Sequence, residues 1–366
     1  VSASLRVRFG YEAFRFQRHG GVTRYFAELH RGLLARGIDS AVDAGLHINE
    51  HLRGLDRVRG VDVSHWPDGR ARQGLTKVLD PLVLVPAREL TGRSGVYHST
   101  WYTPVVPRRP TVATTVFDLT AERFPNQVHQ PRHTSDSKRR WCERAAVVLA
   151  ISEHTRDDLI ERFAIPPDKV VVTHLGVEAV TPAATHPFQG GPPYLLYVGD
   201  RRAPYKNVEG LVRALMAASL PPEVRLVFVG SPRDAHDDEL LRAVGWAGRT
   251  DVIGADDATL AALYRDALAL VYPSRYEGFG LPPLEAMAQG CPVVATTGGA
   301  VPEVVGDAAL LVDPDDLDAW AEAVHRVVTE DAERARLRSA GYERSARFCW
   351  DDTVEHTLAA YRKAVG

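Results

Sequence analysis

Short β-branched runs alternate with amphipathic segments along almost the whole of this chain, and few folds accept that alternation. Parallel sheets covered by helices do, because each parallel strand needs a crossover to reach its neighbour. Leu5–Phe9 reads as a first strand and Gly10–Gly21 as a loop. Val22–Arg36 reads as a helix whose Val22, Tyr25, Phe26, Leu29 and Leu33 share one face, with Gly37 placed to end it. Val112–Val116 and Val147–Ala150 read as strands, and Ser152 as the N-cap of a following helix. The alternation stops at Glu178–Pro193, which holds four prolines and two glycines and no period. It then resumes. Tyr194–Val198, Val224–Val229, Leu268–Tyr272 and Val293–Ala295 read as strands, and Asn207–Ala218, Thr259–Ala267 and Pro283–Gln289 as helices. The reading is an α/β chain of two doubly wound domains facing across a cleft, at residues 1–180 and 194–345, with a linker at 181–193. In such sheets ligands bind beyond the carboxyl ends of the strands. Gly20-Gly21, Gly199–Lys206 and Ser274–Gly280 all fall there.

Composition narrows the class. With 366 residues, 45% hydrophobic and 25% charged, the chain suits a two-domain globular protein. The longest apolar run, around Val78–Ala87, is broken by Asp80, Pro81 and Pro86 and is too short to span a bilayer. Val1–Gly21 is arginine-rich and lacks the apolar block of a signal peptide. Cys142, Cys291 and Cys349 lie far apart, with no metal or redox spacing. They are expected to be reduced and buried, which points to a cytoplasmic protein. Charge is uneven: residues 1–180 carry 26 Lys+Arg against 20 Asp+Glu, and the remainder 18 against 27. A basic first half admits an anionic acceptor or peripheral contact with a membrane surface. Arg108-Arg109 and Lys138-Arg139-Arg140 are expected on solvated faces. No basic–aromatic interleaving supports nucleic-acid binding.

The chemistry concentrates in Glu277-Gly278-Phe279-Gly280-Leu281-Pro282-Pro283-Leu284-Glu285. Gly278 and Gly280 let backbone amides approach a ligand, and the two prolines suit a helix start. Free amides at such a start favour phosphate. Glu277 and Glu285 would repel phosphate, whereas their acceptor-only oxygens match the vicinal hydroxyls of sugars. The pattern suggests a ligand with a phosphate and polyol ends, such as a nucleotide sugar. After another strand comes Gly199-Asp200-Arg201-Arg202-Ala203-Pro204-Tyr205-Lys206-Asn207. Its arginines and lysine can neutralise a diphosphate and stabilise it as a leaving group. Gly20-Gly21, leading into the Val22 helix, can bring amides to a phosphate but is no dinucleotide fingerprint.

Together these segments resemble retaining glycosyltransferases of family 4, which have the GT-B fold of two Rossmann-like domains. The resemblance covers nearly the whole chain. It runs through His19-Gly20-Gly21-Val22-Thr23-Arg24-Tyr25-Phe26, Val96-Tyr97-His98-Ser99, Thr115-Val116-Phe117-Asp118-Leu119 and Ile151-Ser152-Glu153-His154-Thr155. It continues in Tyr197-Val198-Gly199, Tyr205-Lys206-Asn207, Tyr272-Pro273-Ser274-Arg275-Tyr276, the glutamate motif, Ala286-Met287-Ala288 and Phe348-Cys349-Trp350. The similarity is greatest to the branch acting in polysaccharide, lipopolysaccharide and natural-product pathways.

The resemblance implies a role for each matching residue. Glu285 would hold the nucleotide ribose, and Glu277 the donor-sugar hydroxyls. Phe279, Gly280 and Leu281 would offer backbone amides. Arg201 or Arg202, with Lys206, would bind the diphosphate. Gly21 would approach it from the first domain, and Ile253 and Leu260 would flank the base. The segment 346–366 would pack back on the N-terminal domain. Relatives commonly have His-Asp where this chain has Phe117-Asp118. Asp118 is therefore open to two readings, orienting a substrate hydroxyl or holding a strand end, and His98 to two, ligand or core. The implied activity is metal-independent, retaining transfer of a hexose or deoxyhexose from a nucleoside diphosphate sugar, with no further cofactor. The acceptor would be a hydroxyl of a glycan, glycolipid or natural product. A non-catalytic sugar-nucleotide binding protein and a GT-B-fold sugar-nucleotide epimerase remain as alternatives.

Overall fold

The computed structural model describes residues 5–65, 95–103, 106, 111–128 and 131–366. The apolar run at 78–87 and the Arg108-Arg109 pair lie outside the described residues. The chain divides into two compact units, residues 1–176 with 350–366, and residues 177–349.

Among the described residues the first unit has seven strands: β1 (Arg6–Phe9), β2 (Asp39–His47), β3 (Val58–Asp62), β4 (Gly95–Ser99), β5 (Thr111–Val116), β6 (Val147–Ala150) and β7 (Val170–Val172). They pair in parallel in the order β3-β2-β1-β4-β5-β6-β7. Its described helices include α1 (Gly21–Ala35), α2 (Thr120–Arg123), α3 (Pro131–Arg144) and α4 (Glu153–Phe163). On α1 the buried face includes Tyr25, Phe26, Leu29 and Leu33, as the 3.6-residue spacing requires. Ser152 caps α4 by accepting from the Thr155 amide. Strand β2 has no sequence signature, because Asp39, Asp43, Gly45 and His47 interrupt its apolar character. It is nonetheless buried along almost its whole length.

The second unit has six parallel strands: β8 (Tyr194–Val198), β9 (Arg225–Val229), β10 (Thr250–Ile253), β11 (Ala269–Tyr272), β12 (Val293–Thr296) and β13 (Leu310–Val312). Their order is β10-β9-β8-β11-β12-β13. Helices α5 (Val208–Ala217), α6 (Ala235–Ala243), α7 (Asp257–Asp266), α8 (Leu281–Ala288), α9 (Val301–Val305), α10 (Leu317–Thr329) and α11 (Asp331–Ser345) surround it. Alternation along β8 sorts the core into two layers. Leu195 and Tyr197 pack with Leu211, Phe228, Trp320 and Val324. Tyr194 and Leu196 pack with Leu263, Tyr264, Met287 and Val301 on the other face.

One assignment differs from the sequence reading. The segment read as a linker at 181–193 belongs to the second unit and is fastened along it. Ala183 N–H donates to the Ala258 carbonyl at 2.8 Å, and His186 Nε2 meets Asp266 Oδ2 at 2.8 Å. Phe188 packs its ring on Tyr194, 5.6 Å between centroids. Proline and glycine here shape an irregular chain on a folded surface, so low periodicity marked irregularity rather than freedom. The final helix α12 (Trp350–Val365) belongs to the first unit. Its Trp350, Val354, Leu358 and Tyr361 are buried at helical spacing, and Thr353 donates to the His174 carbonyl at 2.7 Å. Arg36 ties α1 to it through Asp351 and Glu355, both at 2.6 Å.

Candidate functional site

At the carboxyl end of β11 the chain enters Pro273–Gly280 and turns into α8. Gly280 is the N-cap with φ 112°, a left-handed conformation that favours glycine. The turn is braced from β12. A Cβ on Gly299 would stand 2.4 Å from the Glu277 carbonyl, and one on Gly298 2.4 Å from the Arg275 carbonyl. Ala300 N–H donates to the Glu277 carbonyl at 2.9 Å. The pair Gly298-Gly299 has a sequence signal of its own, a Gly-Gly one residue after the end of β12, which the sequence reading missed.

The Glu277 carboxylate accepts from Lys206 Nζ at 2.6 Å, with each side chain about one-seventh exposed at 14% and 15%. The fully buried Tyr272 hydroxyl also bonds Glu277, and burial first, then that carboxylate, raises the phenol well above its usual range. Lys206 Nζ sits 5.4 Å from the Tyr205 ring centroid and 5.9 Å from that of Tyr272, within cation–π reach. Burial, then the Glu277 charge, likewise raises the Tyr197 phenol. The Tyr197 hydroxyl and the Ser274 hydroxyl are buried without a hydrogen-bond partner. Such groups are rare in folded proteins and suggest a place for a ligand or water.

Lys206 comes from the β8–α5 connection. Gly199 has φ 148°, and Gly230 packs so close that a Cβ there would be 2.6 Å from the Gly199 carbonyl. Arg275 N–H donates to the Tyr205 carbonyl at 2.8 Å, joining this connection to the Glu277 loop. The two arginines go elsewhere. Arg201 is buried and forks onto Asp237 at 2.9 and 3.3 Å, donates to the Ser231 carbonyl at 2.7 Å and lies over the Phe228 ring. Arg202 is exposed, on Asp200 at 3.3 Å and the Ser231 hydroxyl at 2.7 Å. The structure thus brings together Lys206 and Glu277 and leaves Arg201 in an ion pair of the fold. Adjacent arginines on an irregular loop carry no period, so sequence could not separate them.

A cleft of about 580 Å³ lies beside this loop, lined by Arg201, Arg202, Asn207, Arg213, Arg275 and others. Its arginines are each held by an acid, and neither Lys206, Glu277 nor Glu285 lines it. This cleft is therefore separate from the Lys206–Glu277 pair.

Further along α8, Glu285 is half-buried, with the Tyr264 hydroxyl 3.5 Å from its Oε2. Ile253 at the end of β10 and Leu260 on α7 are half-buried against the core layer that contains Tyr264 and Met287. Gly278 is buried, and the Phe279 side chain is a core residue, edge-on to Phe348 at 5.8 Å, so only its main chain is suited to a ligand. Leu281 opens α8.

In the first unit Gly20 caps α1, and Gly21 is its first residue. The preceding loop is held by buried Glu12, which accepts from Tyr97 at 2.9 Å and from the Thr100 hydroxyl at 3.0 Å. Asp118 Oδ1 accepts from the Thr120 amide at 2.8 Å, the geometry of a carboxylate closing a strand-end turn. Phe117 stands edge-on to Tyr25 at 5.4 Å. His98 is a core residue: it bonds Thr115 at 2.9 Å and Tyr361, and burial pushes its pKa down to about 3, leaving the ring neutral. Lys138 is not on a solvated face. It is buried with Glu122 at 2.9 Å and donates to the Asp118 carbonyl at 2.8 Å.

Cys142 and Cys291 are buried, and burial raises both thiols to about 12; Cys349 is half-buried. Among the described residues no helix is long and apolar enough to cross a membrane.

Known proteins match this chain along its length. Residues 183–344 match the family described as Glycosyl transferases group 1, and residues 19–180 match Glycosyltransferase Family 4. The O-antigen chain mannosyltransferase B of Escherichia coli is 32% identical over 291 residues, which is 73% of this chain and 74% of that protein. Among solved structures, the sucrose-phosphate synthase of Thermosynechococcus elongatus superposes with a TM-score of 0.76 at 22% identity, covering 99% of each chain. Anabaena HepE, solved in complex with UDP and glucose, gives 0.73 at 17% identity, covering 98% of this chain and 99% of that one. The two parallel α/β units are those of the GT-B fold.

Proposed function

This chain belongs to the family 4, group 1 glycosyltransferases, and from that premise we propose that it moves a hexose or deoxyhexose from a nucleoside diphosphate sugar to an acceptor hydroxyl, retaining the anomeric configuration. The acceptor is a glycan, glycolipid or natural product, and the first unit supplies its binding surface. One observation carries the donor assignment: an ammonium and a carboxylate meet at 2.6 Å beside the glycine-capped start of α8. A donor has complementary groups for both. Its diphosphate takes Lys206 and the main-chain amides at Phe279–Leu281, where the helix start favours anions. Its sugar hydroxyls donate to Glu277, and the ribose hydroxyls to Glu285. Arg202, exposed on the same loop, is the arginine free to swing to the diphosphate; Arg201 would have to abandon Asp237.

Departure of the diphosphate is the step with developing negative charge. Lys206, Arg202 and oriented amides stabilise that charge without a divalent cation. Positioning then dominates, since the acceptor must stand in line with the reacting carbon while water is kept away. A mannosyltransferase among the relatives and a structural neighbour solved with UDP and glucose point to mannose and glucose donors, and GDP-mannose and UDP-glucose are the probes chosen here.

The test is calorimetry with UDP and GDP on the wild type, Glu285→Ala and Glu277→Ala. One diphosphate is expected to bind, Glu285→Ala to weaken it and Glu277→Ala to spare it. Equal loss in both variants would refute the division of labour, and no binding of either diphosphate by the wild type would count against these donors.

A further inference from the structure

Asn207 follows Lys206 and adopts the left-handed conformation, φ 56° and ψ 33°. Asparagine tolerates that region better than most side chains. It occupies the N-cap position of α5 but makes no side-chain cap bond there. An asparagine at that position ordinarily turns its oxygen onto the first helical amides. Here the side chain reaches outward instead. Nδ2 donates to the Pro314 carbonyl at 2.6 Å and to the Pro273 carbonyl at 3.3 Å. Its own N–H donates to Pro204, and its carbonyl accepts from Leu211 in the first turn of α5. The residue is 4% exposed.

Those bonds join three segments at one buried point. Pro204–Asn207 carries Lys206, Pro273 begins the loop that carries Glu277, and Pro314 follows β13. Gly210 completes the arrangement, because a Cβ there would lie 2.6 Å from Asn207 Oδ1 and 2.9 Å from Nδ2. A glycine inside the first turns of a helix costs stability relative to alanine. At this place it leaves room for the asparagine amide.

We propose that Asn207 is a positioning residue for the transfer reaction, its buried amide fixing the Lys206 ammonium against the Glu277 carboxylate. The proposal rests on the reading of that pair as the donor site. It differs from the bland role of a turn residue, which would need only the left-handed backbone. Glycine supplies that backbone without the amide, so Asn207→Gly separates the two. Gly210→Ala displaces the amide by contact while leaving residue 207 unsubstituted, and raises the intrinsic helix propensity of α5.

Crystal structures of the two variants need no ligand. The Lys206–Glu277 separation is expected to open from 2.6 Å to beyond about 4 Å, the limit of an ion pair. Release of UDP from UDP-glucose, or of GDP from GDP-mannose, is expected to fall about ten- to a hundredfold in kcat, as small misplacements do. The affinity for the matching diphosphate is expected to stay within about threefold. Cooperative thermal melts verify that each variant is folded, and if Asn207→Gly does not fold, Gly210→Ala decides alone. A folded variant that keeps the pair at its original separation overturns the proposal. So does loss of thermal stability with kcat unchanged. Lys206→Ala distinguishes the two levels. If it leaves UDP and GDP affinity and turnover intact, the site reading fails and this inference with it. If it weakens them while Asn207→Gly and Gly210→Ala behave as wild type, only the role of Asn207 fails.

Discussion

Two ion pairs arise five residues apart on the same connection, and they differ in what surrounds them. Arg201–Asp237 has side chains 2% and 9% exposed, a forked geometry, backbone carbonyls on the guanidinium and an aromatic ring beneath it. Asp237 also completes a capping box with Asp234 at the start of α6. Lys206–Glu277 has side chains 15% and 14% exposed, one lysine donor on one carboxylate oxygen, and two buried, unpartnered hydroxyls in the neighbouring strand and loop. The first pair is enclosed by its own fold. The second is a contact that a ligand of matching charge can replace. Sequence alone shows a cation and a distant acid in both cases; burial and the remaining partners tell them apart.

The largest expected effect comes from breaking the enclosed pair. Arg201→Ala leaves the Asp237 carboxylate buried without its partner, a change that typically costs about 3–5 kcal/mol. Urea unfolding of the second unit's transition is the measurement, and the folded fraction is expected to bind nucleoside diphosphate as the wild type does. Stability within about 1 kcal/mol of wild type, with diphosphate binding lost, would reverse the contrast drawn here.

The exchangeable pair gives a smaller effect of another kind. A charge-assisted contact to phosphate is worth about 1.5–3 kcal/mol. Lys206→Ala is accordingly expected to weaken UDP or GDP by about ten- to a hundredfold while barely changing the bare nucleoside. Calorimetry with both ligands reads the difference. Unchanged diphosphate affinity would remove Lys206 from the site.

Glu277→Gln sharpens the comparison further. The glutamate competes with a diphosphate for the same ammonium, and a partly exposed pair is worth about 0.5–1 kcal/mol. Neutralising it is expected to tighten the bare diphosphate by about two- to fivefold while turnover falls, because the sugar hydroxyls lose their acceptor. Weaker diphosphate binding in this variant would mean that Glu277 holds Lys206 in place rather than competing for it.

Much of this site was legible because its parts are local. The prolines that open α8, the glycine at its cap, Glu277 and Glu285 fall within nine residues, and Lys206 stands in a second short motif after a strand. What was illegible depends on partners far away in sequence. Arg201 and Arg202 are adjacent, and only Asp237 and Ser231, some thirty positions on, decide which is enclosed and which exposed. Lys138 looked solvated because its neighbours are arginines, yet Glu122 and the Asp118 carbonyl bury it. His98 lay in a family motif, and its role as a neutral core residue depends on Tyr361 in the last helix. The fold followed the same division. The strongly periodic α1 and strands β8, β9, β11 and β12 of the second unit could be read, whereas the short β10 and β13 were not. Strand β2, with its acids and histidine, could not, because its burial comes from sheet neighbours rather than from its own pattern.

The smallest expected effect is none at all, and it tests what the exchangeable pair is for. A departing nucleoside diphosphate carries charge that many enzymes neutralise with a divalent cation. Here the proposal gives that task to Lys206 and the oriented amides at the start of α8, which the fold holds in place before any ligand arrives, and to Arg202, which swings in from its exposed position. Glu277 and Glu285 are assigned to hydroxyl groups, so neither is available to anchor a cation against the diphosphate. Transfer from the true donor is therefore expected to proceed at an unchanged rate when a chelator is added in excess, and magnesium or manganese is expected to add nothing. The measurement is initial rate against chelator concentration, followed by repletion with each metal. Loss of activity on chelation that either metal restores would show that the lysine pair does not carry the leaving-group charge, and the contrast between an enclosed pair and an exchangeable one would then need another explanation.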